Sequence, residues 1–138
     1  MGQTMRKVLT VFLLIIGWAI FVGMGKTPEG EIPKPDISFN ATVIDDQNIS
    51  TKCSFVSWEG HLFFLGTRGK GTVSIPFEKV RKVVFIGDVT EGKKDAQVTL
   101  KNGEVVAVTF DGESRFYGTT EFGTYKIAAM NIKEIIFE

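Results

Sequence analysis

Slid against itself by 52 positions, this chain lays residues 110–137 on residues 58–85 without a gap, and that self-match limits the folds open to it. Phe64-Leu65-Gly66-Thr67 meets Phe116-Tyr117-Gly118-Thr119, Gly71-Thr72 meets Gly123-Thr124, and Ile75 meets Ile127. The register runs on through Val80 and Ile132, Val83 and Ile135, Val84 and Ile136, and Phe85 and Phe137. Upstream it pairs Gly60 with Gly112 and Trp58 with Phe110; earlier still it shifts by about three residues, pairing Val43 with Val98. Glycines mark where the backbone must turn or approach closely, and apolar periodicity marks which side chains are inside. A chain that repeats both in one register is expected to build one unit twice, over about 37–88 and about 93–138.

The local pattern says what that unit is. Between Ile37 and Glu138 no window keeps a helical period for three turns; short runs rich in Val, Ile, Phe and Thr recur between Gly, Asn and Asp. That is the signature of strands and turns. It predicts strands near 39–44, 52–58, 61–65, 71–76 and 80–86, and again near 95–101, 104–110, 113–117, 122–127 and 132–137. Asn102-Gly103 predicts a type I′ hairpin turn, with Val98, Leu100, Val106 and Val108 facing inward. Phe77-Glu78-Lys79 and Ala128-Ala129-Met130-Asn131 suit a turn of 3₁₀ helix. Adjacent apolar residues in Val83-Val84-Phe85 and Ile135-Ile136-Phe137 predict burial on both faces of the last strand. Each unit would then fill its own core with one face and pack on its twin with the other. The expected fold is all-β: two tandem duplicated five-stranded units, small barrel-like or sandwich halves, packed with pseudo-twofold symmetry. The strand, Asn-Gly turn, strand and Ile-x-x-Ile-x-Phe ending of the second unit resembles small five-stranded barrels of the SH3 or Sm type, which implies a fold and no function.

The N-terminus follows a different logic. Met1 to Lys7 is polar and ends in Arg6-Lys7, and Val8 to Gly25 carries no charge. This is the layout of a secretory signal, so residues 1–25 are expected to form a hydrophobic helix acting as signal peptide or N-terminal membrane anchor. Gly23-Met24-Gly25 supplies the small residues a signal peptidase reads. Uncleaved, eighteen helical residues would reach about 27 Å, just short of a hydrocarbon core of about 30 Å. Either way the remainder is expected to be exported, periplasmic or extracellular, and any membrane contact would run through residues 8–25 in the inner (cytoplasmic) membrane. Pro28, Pro33 and Pro35 make 26–36 a Pro-rich linker, and the folded part is expected to start near Ile37.

Composition removes whole classes of function. Sixteen basic and sixteen acidic residues leave no net charge, against a nucleic-acid partner, which calls for a cationic face. One Cys and one His rule out a disulfide framework and multi-histidine metal centres. Cys53 and His61 are the only thiol and imidazole, with no third group to orient a base. Gly66-Thr67-Arg68-Gly69-Lys70-Gly71-Thr72 lacks the spacing and the following helix of a phosphate loop, so its glycines read as a turn. Asp45-Asp46-Gln47-Asn48 reads as a solvated turn before it reads as a cation site.

No catalytic set, metal site or cofactor is expected. Phe55, Phe63, Phe64, Phe85, Phe110, Phe116 and Phe137 read as core, while Trp58, Tyr117 and Tyr125 are the candidates for a platform binding a sugar or peptide. The expected function is a non-catalytic binding or scaffolding module of the cell envelope, meeting an envelope protein or surface ligand through its sheet face or edge strands. The second reading is a small-molecule or carbohydrate binder with its site between the repeats. An enzyme would have to draw on Glu59, Asp111 or Glu113.

Overall fold

Alternating apolar runs and tight turns give ten strands: β1 (Ala41–Asp45), β2 (Ser50–Trp58), β3 (Phe63–Arg68), β4 (Gly71–Pro76), β5 (Val80–Thr90), β6 (Lys93–Leu100), β7 (Val105–Asp111), β8 (Arg115–Thr120), β9 (Gly123–Ala128) and β10 (Ile132–Phe137). Short 3₁₀ turns at Phe77–Lys79 and Ala129–Asn131 link β4 to β5 and β9 to β10, as the sequence predicts. This computed structural model describes residues 32–138; residues 1–25, for which a signal or anchor helix is expected, and the first part of the expected linker lie outside the described residues. The protein is all-β, and among the described residues there is no α-helix.

The strands form one antiparallel sheet in the order β4-β3-β7-β6-β5-β10-β1-β2-β8-β9, curled into a half-barrel. Reversing that order exchanges each of β1 to β5 with the strand five places later in the chain. β3, β4, the first 3₁₀ turn and β5 begin 52 residues before β8, β9, the second 3₁₀ turn and β10. At the centre β5 meets β10 with Val83 directly opposite Ile135. Toward the ends the hairpins are exchanged: β3 pairs with β7, and β8 pairs with β2.

That arrangement corrects the expected packing. There is one continuous sheet and one core cluster, where the sequence suggested units each closed around its own interior and stacked face to face. Val83 and Ile135 are buried, whereas Val84 is half-buried and Ile136 is 37% exposed. The two final strands join edge to edge by hydrogen bonds, so only one face of each covers the core.

The turns explain the path. Glu59-Gly60 and Glu91-Gly92 each have two positive φ angles, 51° and 83°, then 53° and 77°, the type I′ pair that matches strand twist. The Lys101–Glu104 reversal does not take this form. There Leu100 N–H reaches Glu104 O, Gly103 N–H reaches Leu100 O, and only Gly103 has positive φ, which makes a longer loop with a glycine bulge. Asn102 Oδ1 accepts the Glu104 N–H, and that bond occupies the side chain. The arms keep the expected phase: Val98 pairs with Val106 and Ala96 with Val108, with Val98 and Val108 buried.

Aromatic rings fill the concave face. Phe64, Phe110 and Phe116 are fully buried, and Phe85 and Phe137 nearly so. Phe55 and Phe63 are half-buried instead: Phe55 sits at a bulge with φ of 50°, and Phe63 stacks on His61. Phe77, read from sequence as part of a connection, is 1% exposed and packs edge-on to Phe39. A 3₁₀ turn that follows an edge strand can drop its first side chain into the open end of a barrel, which alternation alone does not reveal.

Residues 32–36 take no helix or strand, yet they rest on the sheet. Lys34 Nζ lies 4.6 Å over the Phe55 ring, and a Cβ on Gly60 would come 3.3 Å from Pro33 Cβ.

Candidate functional site

Trp58 closes β2 on the concave face and is 1% exposed, with Phe110 and Phe64 at 4.9 and 5.2 Å between ring centroids. Here the structure corrects the platform expectation, because a ring so enclosed offers no surface to a ligand. Tyr117 and Tyr125 stand half-buried on the neighbouring strands β8 and β9. Tyr117 lies opposite Lys126, and Gly118 opposite Tyr125. The two tyrosines are thus one residue out of phase and project from opposite faces of the sheet. The three residues do not converge.

The other chemical candidates resolve into turns and packing. Asp45 Oδ1 accepts the Gln47 and Ile49 N–H groups at 2.9 Å each, and Asn48 Oδ1 accepts from Lys133 Nζ. Gly69-Lys70 is a two-residue hairpin turn with φ of 59° at Gly69, so this glycine supplies the conformation a type II′ turn needs. Cys53 is 4% exposed and its thiol points to Thr51 O, whereas His61 is exposed and stacked on Phe63 with centroids 4.8 Å apart. Glu59 and Glu113 line one cleft with Arg115, where the Glu59 carboxylate accepts the Arg115 N–H, and Asp111 lines another. Among the described residues no three His, Cys, Asp or Glu side chains are grouped to hold a metal ion.

Burial pushes the Cys53 thiol from 9.0 up to about 11. The Tyr125 hydroxyl is raised too, first by burial and then by the charges of Cys53 and Asp45, against a hydrogen bond with Thr51 that lowers it. Both groups hold their protons more tightly folded than unfolded. Their contribution to stability is complete below the unfolded pKa values and is lost as pH rises through the folded ones. Denaturation midpoints are therefore expected to fall from about pH 9 upward, and Cys53→Ala is expected to flatten that fall. Equal loss in both proteins would show that the thiol does not cause it.

What the surface offers lies at the joins and the ends of the sheet. β3 touches β7 through one pair, Thr67 and Thr109, and beyond it a cleft of about 570 Å³ opens, lined by Arg68, Asp95 and Gln97. Arg68 Nη1 donates to Ala107 O at 3.1 Å, and Thr109 Oγ1 donates to Asp95 Oδ1 at 2.7 Å. A second cleft, about 310 Å³, lies at the β2–β8 join and carries Thr119, Thr120 and Glu121 where the first has Thr67, Arg68 and Gly69. Among the described residues, β4 and β9 at the two ends each pair on one side only. Phe122, on the β8–β9 turn, is 83% exposed, and Leu65 on β3 is 47% exposed.

Sequence reasoning missed the clefts, because they depend on the exchange of hairpins. Phe122 had a readable signal: its partner at offset 52 is Lys70, so one tip of two is apolar. No curated protein and no solved structure matches the chain. A family model described as "Uncharacterised protein" matches residues 35–138, which include every strand of the sheet, and the chain belongs to that family.

Proposed function

We propose that this protein is an exported, non-catalytic β-domain that binds or scaffolds a component of the cell envelope through the free edges of its sheet. Residues 1–25 deliver it, and residues 26–36 lead into a domain written twice. The duplication draws support from the core, where positions 52 apart meet each other: Phe64 stacks on Phe116, Trp58 packs at a tilt against Phe110, and Val83 faces Ile135. A twofold axis through the sheet centre brings equivalent residues together in this way.

The observation that carries the binding role is the open sheet. Its end strands β4 and β9 leave one row of backbone donors and acceptors unpaired among the described residues. Unpaired edges accept an added strand, with main-chain hydrogen bonds giving affinity and side chains giving selectivity. Phe122 beside β9 supplies an apolar anchor. The test uses the full chain as bait in envelope extract, beside Ser74→Pro and Lys126→Pro, which remove outward N–H groups from β4 and β9 respectively. At least one variant is expected to lose the captured component while keeping its strand content. Undiminished capture by both would overturn the edge reading.

The second reading, a small-molecule or carbohydrate site between the repeats, is favoured by the two clefts, since both lie where strands of one repeat join strands of the other. A ligand that raises the melting temperature, and fails to do so in Arg68→Ala, would support it.

A further inference from the structure

The two edges left free among the described residues are equivalent by position, but they are guarded differently. In the β3–β4 hairpin Arg68 pairs with Gly71 across a two-residue turn, and Phe77 N–H donates to Leu62 O at 3.0 Å. That pairing and that bond fix the phase of the ladder. Residues 71, 73, 75 and 77 bond inward to the β3 side, and Thr72, Ser74 and Pro76 direct their backbone groups outward. By the same argument, from Ala129 N–H on Ser114 O at 2.7 Å, the outward residues of β9 are Thr124, Lys126 and Ala128. Exposed lysines and prolines are the usual protection of a sheet edge. β9 has its guard in the middle, at Lys126. β4 has its guard at one end, at Pro76, so Thr72 and Ser74, both exposed and uncharged, stand open.

We propose that β4 pairs with β4 of a second copy of this chain, antiparallel, with Thr72 opposite Ser74 and a twofold axis at Val73. This rests on the edge-strand reading above for β4 alone and leaves β9 free for a different partner. Three features fit that occupant. Thr72 and Ser74 each present one N–H and one C=O, so the two copies complete four hydrogen bonds with no outward group of the pair left over. Pro76 falls just outside this ladder, where its missing N–H is not needed. On the concave face Val73, half-buried in one copy, meets Val73 of the other and continues the apolar lining next to Ile75. On the charged side, Lys70 comes opposite Pro76 of the second copy and beside its Glu78, twice over by symmetry, and both residues are exposed. The same register on β9 would place Lys126 of both copies on one face two positions apart, a like-charge contact. A symmetric pair also closes on itself, whereas β4 against β9 would continue into an open filament.

The experiment is sedimentation equilibrium on the purified domain-bearing chain in detergent-free buffer, over the micromolar range. The wild type is expected to approach the mass of a dimer. Ser74→Pro is expected to be monomeric, and Lys126→Pro to remain dimeric, with circular dichroism confirming that each keeps its strands. Lys70→Glu is expected to weaken the dimer about tenfold, and Lys70→Glu with Glu78→Lys to restore it. A monomeric wild type, loss of the dimer in Lys126→Pro instead of Ser74→Pro, or a polymer dissolved by either variant would each overturn the proposal. None of these outcomes involves an envelope component, so capture through β9 stands or falls separately.

Discussion

Phe64→Ala is expected to cost about 4 kcal/mol of folding stability, the largest loss of any single truncation in this domain. Phe64 is fully buried, and its ring lies within 6.4 Å, centroid to centroid, of Trp58, Phe77, Phe110, Phe116 and Phe137. These neighbours come from β2, the first 3₁₀ turn, β7, β8 and β10. The side chain therefore joins β3 to β8 and β10, with which β3 shares no hydrogen-bonded ladder. Removing it leaves a cavity walled by rigid rings, which collapse poorly, so the cavity cost adds to the lost transfer energy. Domains of this size are stable by about 5–15 kcal/mol, and the variant would be near its unfolding threshold at room temperature. Urea denaturation measures it directly. Leu65→Ala, one residue along on a 47% exposed side chain, is the control and is expected to shift the midpoint by under about 1 kcal/mol. Similar losses at 64 and 65 would mean that the aromatic cluster does not hold the sheet together.

The same residue shows what the sequence makes legible. Phe64 and Phe116 can be identified as core, and as equivalent, from the self-match alone. Local rules were enough for most of the ten strands and for both 3₁₀ turns, because alternation and turn residues act over a few positions. Partner choice was not legible. Nothing in β2 or β3 says that β3 will leave β2 after the Trp58–His61 bridge and pair with β7, since the apolar pattern of an exchanged hairpin is identical to that of an unexchanged one. That gap explains the misreading of Val84 and Ile136, whose neighbours depend on which strands meet at the centre. It also explains Trp58: an aromatic residue at a strand end reads as a platform or as core, and only the arrival of Phe64 and Phe110 over its ring decides. Tyr117 and Tyr125 were both visible as amphipathic rings, but their separation to opposite faces follows from the register of β8 on β9.

Gly118→Ala is expected to destabilise the domain by about 3 kcal/mol, and Gly66→Ala by a similar amount, although neither glycine has the positive φ that usually explains a sensitive glycine. The reason is space. A Cβ at 118 would lie 2.6 Å from Cys53 Cβ and 3.0 Å from its Sγ. A Cβ at 66 would lie 2.6 Å from Val108 Cγ1 and 2.8 Å from Thr109 O. Both glycines sit where a hairpin crosses onto a strand distant in sequence, β8 on β2 and β3 on β7, so the crossing itself demands the missing side chain. The two sites then differ in a measurable way. At 118 the closest obstacle is a side chain, and Cys53→Gly in the Gly118→Ala background is expected to cost less than it does alone. At 66 the backbone carbonyl of Thr109 stays in place whatever residue 108 becomes, so Val108→Ala is expected to give little relief. Double-mutant cycles in urea separate these outcomes, since residues in contact show coupling well above the few tenths of a kcal/mol seen between distant sites. Coupling at neither site, with both alanine variants as stable as the wild type, would mean that the strands do not cross this closely and that the exchanged pairing of the hairpins is wrong.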